Sequence, residues 1–169
     1  MRHELAPIHS TLINNKIHMS QINSFMSGDH HRCNDLFAAA EHAAAHHAWD
    51  RASAIFASFN DAMQHHFSAE EEVLFPAFEM KSGMVSGPTE VMRVEHGQMR
   101  ALMAAAQQAL AAKDGDDFSG NAETLLIMMQ QHNMKEEQVL YPMCDDHLRD
   151  QADTLLLTLG RQLGQADGS

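Results

Sequence analysis

HHFSAEEEVLFP, residues 65–76, and its later echo QHNMKEEQVLYP, residues 131–142, decide how this chain folds. In each, a histidine is followed four residues later by a glutamate: His66 with Glu70, and His132 with Glu136. In each, a proline falls ten residues after that histidine, at Pro76 and Pro142. A step of four on an α-helix turns the side chain through only about 40° and rises about 6 Å. Each pair therefore shares one helix face. Two such faces turned toward each other make a site rich in imidazole and carboxylate, which is the composition of a metal site rather than of an ordinary core.

The two stretches are copies. An offset of 66 residues relates His66 to His132, Glu70 to Glu136, Glu71 to Glu137, Val73 to Val139, Leu74 to Leu140, Phe75 to Tyr141 and Pro76 to Pro142. Carried backward, it pairs Asp29-His30 with Glu95-His96, and Leu36 with Leu102. Self-similarity at a fixed offset marks a repeated structural unit. Here the unit is a helix pair carrying one lone histidine and one HxxxE. His31 adjoins His30 but falls opposite Gly97, so His30 is the one that repeats.

A chain of 169 residues suffices for one domain with a sizeable core. Helix formers dominate, alternating β-type runs are absent, and the prolines and glycines fall mostly where helices would end. The class is all-α. A formal charge of −12 without a basic stripe argues against nucleic acid and anionic membranes as partners. No apolar run approaches the ~20 residues that span a bilayer, and MRHELAPIHSTLINNK lacks the apolar core of a secretion signal. Cys33 and Cys144 form no disulfide framework and read as reduced, buried thiols of a cytoplasmic protein.

Residues 1–24 are expected to be a tail. Residues 25–144 form the bundle, with the repeat spanning 25–80 and 88–143, and 145–169 form an amphipathic helix and tail. The first helix starts between Ile22 and Asp29 and carries His30, Cys33, Phe37, Ala40 and Ala44 on one stripe. The second opens near Trp49 and presents Ala52, Ile55, Phe59, Met63, His66, Glu70 and Val73, until Pro76 kinks or ends it. After KSGMVSGP (81–88), the third repeats the pattern with His96, Met99, Met103, Ala106 and Leu110. DGDD (114–117) is a turn. The fourth helix, from about Ser119 to Pro142, presents Leu125, Met129, His132, Glu136 and Val139. Short connections make these antiparallel neighbours, an up-down-up-down four-helix bundle. The last helix carries Leu148, Ala152, Leu155, Leu159 and Leu163, and lies against the outside; apolar surface on it could also pair two copies as a homodimer.

The inward set is His30, His66, Glu70, His96, His132 and Glu136. Four imidazoles and two carboxylates suit a pair of first-row divalent ions, each with two histidines and with the carboxylates able to bridge. Iron is the first choice, with manganese or zinc as alternatives, because mixed nitrogen and oxygen sites with vacancies are where non-haem iron meets oxygen. Constant helical phase turns Glu71, Glu72 and Glu137 about 100° or more from this face, toward solvent, although Glu71 and Glu137 could still accept imidazole N–H groups. The methionines serve as core filler. His42 and His46, along with His31, His65, His147 and the tail histidines, lie off the site, and Tyr141 lies more than two turns beyond His132 and is not assigned to it.

In DH (29–30), HxxxEExxLFP (66–76), EH (95–96) and HxxxEExxLYP (132–142), the chain resembles the hemerythrin HHE cation-binding family over about residues 25–142. The resemblance implies a four-helix bundle around two non-haem iron ions, bridged by carboxylate and by an oxo or hydroxo group. It implies His30, His66, His96 and His132 as ligands, with Glu70 and Glu136 bridging. Oxygen-carrying hemerythrins have a second histidine four after the one on their third helix, where this chain has Arg100. Their last-helix carboxylate is an aspartate five after its histidine, where this chain has Glu136 four after His132. In ligand set the chain is more similar to bacterial repair-of-iron-centres proteins, though without their cysteine-bearing N-terminal domain. The expected function is binding of, or reaction with, oxygen, nitric oxide or peroxide in oxidative or nitrosative stress or iron handling. The alternatives are an iron donor to an iron–sulfur acceptor protein, or a di-iron oxidase or peroxidase.

Overall fold

The computed structural model describes residues 21–164; the tail assigned to residues 1–20, with His3, His9 and His18, lies outside the described residues. The first bundle helix is α1 (Gln21–Ala45). The second is α2 (Trp49–Ala69), which passes through a π-turn (Glu70–Leu74) into α3 (Phe75–Ser82). The third is α4 (Pro88–Ala112). The fourth is α5 (Gly115–Lys135), which passes through a second π-turn (Glu136–Leu140) into α6 (Tyr141–His147). A 3₁₀ turn (Arg149–Gln151) then leads to α7 (Ala152–Gln162). The architecture is an all-α four-helix bundle with an added C-terminal helix, and no strand occurs among the described residues. No helix among them is long and apolar enough to cross a membrane.

Local chemistry sets the ends. α1 begins at Gln21, so residues 21–24 are helix rather than tail. Its first N–H groups have no intrahelical partner. Asp145 on α6 supplies one: its carboxylate accepts from the backbone N–H of Ile22 at 2.9 Å and of Asn23 at 3.3 Å. DGDD is less a turn than a helix start, because Asp114 caps α5 by accepting the Asp117 N–H at 3.0 Å. Gly83 ends α3 in the left-handed region at φ 75°, where a side chain would be strained, and Pro88 opens α4.

Pro76 and Pro142 end nothing. Each stands just past a π-turn, and its helix runs on to Ser82 or His147. A turn closed by i→i+5 bonds holds one residue more than an α-turn, and such wide turns can take up a missing N–H without breaking the helix. The extra residue also shifts the inward stripe. Val139, expected inside, is 52% exposed and Val73 only half-buried, while Leu74, Phe75, Leu140 and Tyr141 are buried in their place.

Two apolar regions flank the middle of the bundle. One holds Phe37, Phe56, Phe59, Phe118 and the buried methionines Met63, Met99, Met103 and Met129. The other holds Ile22, Met26, Leu74, Phe78 and Tyr141, closed by Leu148, Leu155, Leu159 and Leu163 of the C-terminal segment. Burying a leucine contributes about 1.5–3 kcal/mol, which fastens α7 to the bundle. Its leucine stripe is therefore covered by the chain's own helices and is not a free surface for a second copy; Leu157, which lies off the stripe, is 57% exposed.

Candidate metal centre

The six side chains singled out by the repeat meet between the two apolar regions: His30 from α1, His66 from α2, Glu70 from the first π-turn, His96 from α4, His132 from α5, and Glu136 from the second π-turn. All six are buried. Their donor atoms fall into two overlapping groups, Glu70, His96, His132 and Glu136 on one side and His30, His66 and Glu136 on the other, each with its atoms within 4.8 Å of one another. The remaining histidines His31, His42, His46, His47 and His65 are exposed, and His147 is partly so.

Each of the four imidazoles is oriented by a carboxylate. Nδ1 of His30 donates to Glu137 at 2.7 Å, that of His66 to Asp29 at 2.9 Å, that of His96 to Glu71 at 2.7 Å, and that of His132 to Glu95 at 2.9 Å. An ionised carboxylate only accepts, so the proton of each neutral ring sits on Nδ1 and the Nε2 lone pair faces inward. Nε2 of His96 and of His132 are 3.2 Å apart. Two lone pairs at that distance repel unless a proton or a cation lies between them.

The glutamates complete the arrangement. Glu136 turns Oε2 toward His30 Nε2 (3.2 Å) and Oε1 toward His132 Nε2 (3.0 Å), so one carboxylate spans both groups. Glu70 Oε2 lies 3.2 Å from His96 Nε2 and 3.6 Å from His66 Nε2. Yet Glu70 Oε2 and Glu136 Oε1 make no hydrogen bond. The atoms are close but are not aimed at one another. Donors bound to a common ion at about 2.1 Å stand roughly 3.0–3.4 Å apart and point at the ion, not at each other. The residues present fit a bound cation.

The family model for the hemerythrin HHE cation binding domain matches residues 21–144. This chain belongs to the hemerythrin HHE family. No curated protein and no solved structure matches it. The family and the buried His/Glu cluster together make this hemerythrin domain a metal-binding one.

Electrostatics point the same way. Burial disfavours the charged form of His132, but the negative charge of Glu136 beside it outweighs burial and lifts the imidazole to about 9. His30 and His96 are raised as well, against burial, by Glu136 and by Glu70 respectively. Burial would raise Glu136, but His132 and His30 hold it well below the usual carboxylate range. Without metal, the cluster draws protons into its centre to balance the carboxylates. A cation there would displace them.

Several residues of the hemerythrin centre escaped the sequence reading. Asp29 and Glu95 stand at matching places in the repeat, beside His30 and His96, and each orients the histidine of the next helix rather than its neighbour. The offset of 66 carried that signal. Glu71 and Glu137, turned toward solvent by constant helical phase but open to a role as ring acceptors, take that role, and each holds a ring. Burial would raise Glu71, but His96 and Arg100 bring it down to about 2. Arg100 grips Glu71 through Nη1 at 2.8 Å and Nη2 at 3.0 Å and lies over the Phe67 ring. Where oxygen carriers place a histidine, this domain has a cation that fastens a histidine-orienting carboxylate. Tyr141 is the largest omission. Its hydroxyl lies inside the cluster, 2.7 Å from Glu70 Oε1 and 3.0 Å from Glu136 Oε2.

Proposed function

We propose that this hemerythrin domain holds two non-haem iron ions on His30, His66, His96, His132, Glu70 and Glu136, with the two glutamates shared between the ions, and that it binds or reacts with oxygen, nitric oxide or peroxide in the cytoplasm. The observation carrying this reading is the convergence of four Nε2 lone pairs, each fixed by a carboxylate behind its ring, on two buried glutamate oxygens that lack hydrogen bonds. Bound there, iron would supply a centre that changes oxidation state and keeps positions open for a small ligand. The protein's own part is to keep four imidazoles neutral and aimed, to neutralise the ions with buried carboxylates, and to surround them with apolar side chains that exclude water. Its role would lie in oxidative or nitrosative stress or in iron handling.

Metal content per chain is the first test. Two irons per chain in protein purified from iron-replete cells is the expected result; manganese or zinc at the same stoichiometry corrects the metal, and none removes the reading. Mixing the anaerobic ferrous protein with oxygen then separates functions. A long-lived spectrum that reverses under vacuum indicates carriage, and irreversible oxidation with consumption of peroxide indicates turnover.

A second reading is favoured by Arg100, which stands where the oxygen carriers have a further histidine and instead pairs with Glu71. With four histidines only, the centre would release iron more readily, as a donor to a damaged iron–sulfur protein must. Cluster recovery in an apo-acceptor, measured with loaded protein against free ferrous iron at equal concentration, decides it.

A further inference from the structure

The two halves of the centre differ chemically. One group has four donor residues and the other three, His30, His66 and Glu136. The repeat that makes the halves alike sets Phe75 opposite Tyr141. Phe75 stacks beside His96, with ring centres 5.9 Å apart, and offers no donor atom. Tyr141 sets its hydroxyl beside the three-residue half, donating at 2.7 Å to Glu70 Oε1 of the other group. Its Oη lies 3.2 Å from His30 Nε2, 3.5 Å from His66 Nε2 and 3.0 Å from Glu136 Oε2.

Donors around one ion at about 2.1 Å are separated by roughly 3.0–3.4 Å. Oη keeps close to this spacing from all three donors of its half, and His30 Nε2 and Glu136 Oε2 keep it from each other at 3.2 Å. Tyr141 is fully buried, so no bulk water competes for the position. A phenol that served only as a hydrogen-bond donor to the carboxylates would have no need to stand so close to two ring nitrogens as well.

We propose that Tyr141 is a metal ligand, its phenolic oxygen completing the set formed by His30, His66 and Glu136. The inference rests on the metal pair proposed above. Ligation exchanges the O–H bond for an O–metal bond, and the proton leaves to solvent. The two ions are then unlike: one has a hard anionic oxygen that favours the ferric state, while its neighbour has only imidazole and carboxylate.

The chain has a single tyrosine, so a tyrosinate signature needs no mutation to be assigned. Full-length protein is loaded with ferrous iron, oxidised, and measured for iron per chain, visible absorption and resonance-Raman spectrum, beside Tyr141→Phe treated identically. The expected result is two irons in the wild type, a visible phenolate-to-ferric charge-transfer band enhancing tyrosinate ring modes, and loss of both signals in Tyr141→Phe. The variant should also bind its second iron at least tenfold more weakly in chelator competition. Two irons without tyrosinate modes in the wild type would overturn the ligand assignment and leave the metal pair standing. Failure of the wild type to bind iron at all would overturn both.

Discussion

Replacing Asp29 by asparagine keeps shape and removes charge at one point behind the centre. Asp29 is 1% exposed and accepts from His66 Nδ1 at 2.9 Å and from Arg32 Nε at 2.8 Å. Burial would raise its pKa, but His66 and Arg32 outweigh burial and lower it, so it acts as a carboxylate. Asparagine can still accept one of the two bonds, so His66 keeps its tautomer while losing the negative charge that makes Nε2 a better donor. Such carboxylates behind metal-bound histidines typically contribute 10- to 100-fold in affinity, about 1.4–2.7 kcal/mol. The repeat supplies an internal comparison. Glu95 does the same for His132, but its side chain is 17% exposed and is also held by Lys135, so water screens it and Glu95→Gln should cost less. Titration of iron or zinc against a chromogenic chelator at fixed pH measures both, with far-ultraviolet circular dichroism confirming the fold. Affinity within twofold of wild type for Asp29→Asn, beside a tenfold or larger loss for Glu95→Gln, would refute the reasoning.

Other expectations concern stability and reactivity. Phe56 is fully buried against Phe37, Phe59 and Phe118, and Phe56→Ala should cost about 3–5 kcal/mol in urea unfolding; a loss under 1 kcal/mol would contradict this packing. In metal-free protein His132 is lifted from 6.5 to about 9, so its contribution is fully present below pH 6.5 and is lost as pH rises through 9. The decline is at most ~3 kcal/mol, read from urea midpoints in chelator between pH 6 and 9.5, and a flat profile counts against it. Cys33 is buried and its thiol is pushed up to about 12, chiefly by burial and then by Asp29, and Cys144 rises still further; both should resist a thiol reagent until the protein unfolds. Fast labelling of the native protein would show the site more open than described.

The repeat made the helices and the six converging side chains legible, because a fixed offset fixes which residues are equivalent even where their environment is unknown. Phase along a helix was legible only while each residue turned about 100°. That holds from Cys33 to Ala44 and from Met99 to Leu110, where every residue expected inside is buried. It fails at Glu70–Leu74 and Glu136–Leu140, and every misplacement there follows from the same cause: Val139 inside, Tyr141 beyond reach, Pro76 as an end. Nothing in EEEVL or EEQVL distinguishes a wide turn from an ordinary one. The pairing of Asp29 with His66 and of Glu95 with His132 depends on which helices lie side by side, so it needed the fold.

The wide turns also make a prediction that separates their geometry from general damage. In an unbroken α-helix, Tyr141, five residues after Glu136, would point about 140° away from it. With the extra residue taken up between Glu136 and Leu140, Tyr141 returns to the face of Glu136 and hydrogen-bonds to it. Deleting exposed Gln138 should turn the π-turn into an α-turn and leave Tyr141 four residues from Glu136, still facing the cluster. Asp145 would keep its place at the start of α1 for the same reason. Deleting exposed Gln131 instead, within regular α5, would rotate Leu125 and Met129 by about 100° against His132 and open the core. The Gln138 deletion should therefore keep its helicity and metal stoichiometry, and the Gln131 deletion should lose several kcal/mol of stability, on the scale of a broken core. Equal destabilisation of the two would mean that the π-turn is not an accommodated extra residue but a geometry the centre requires.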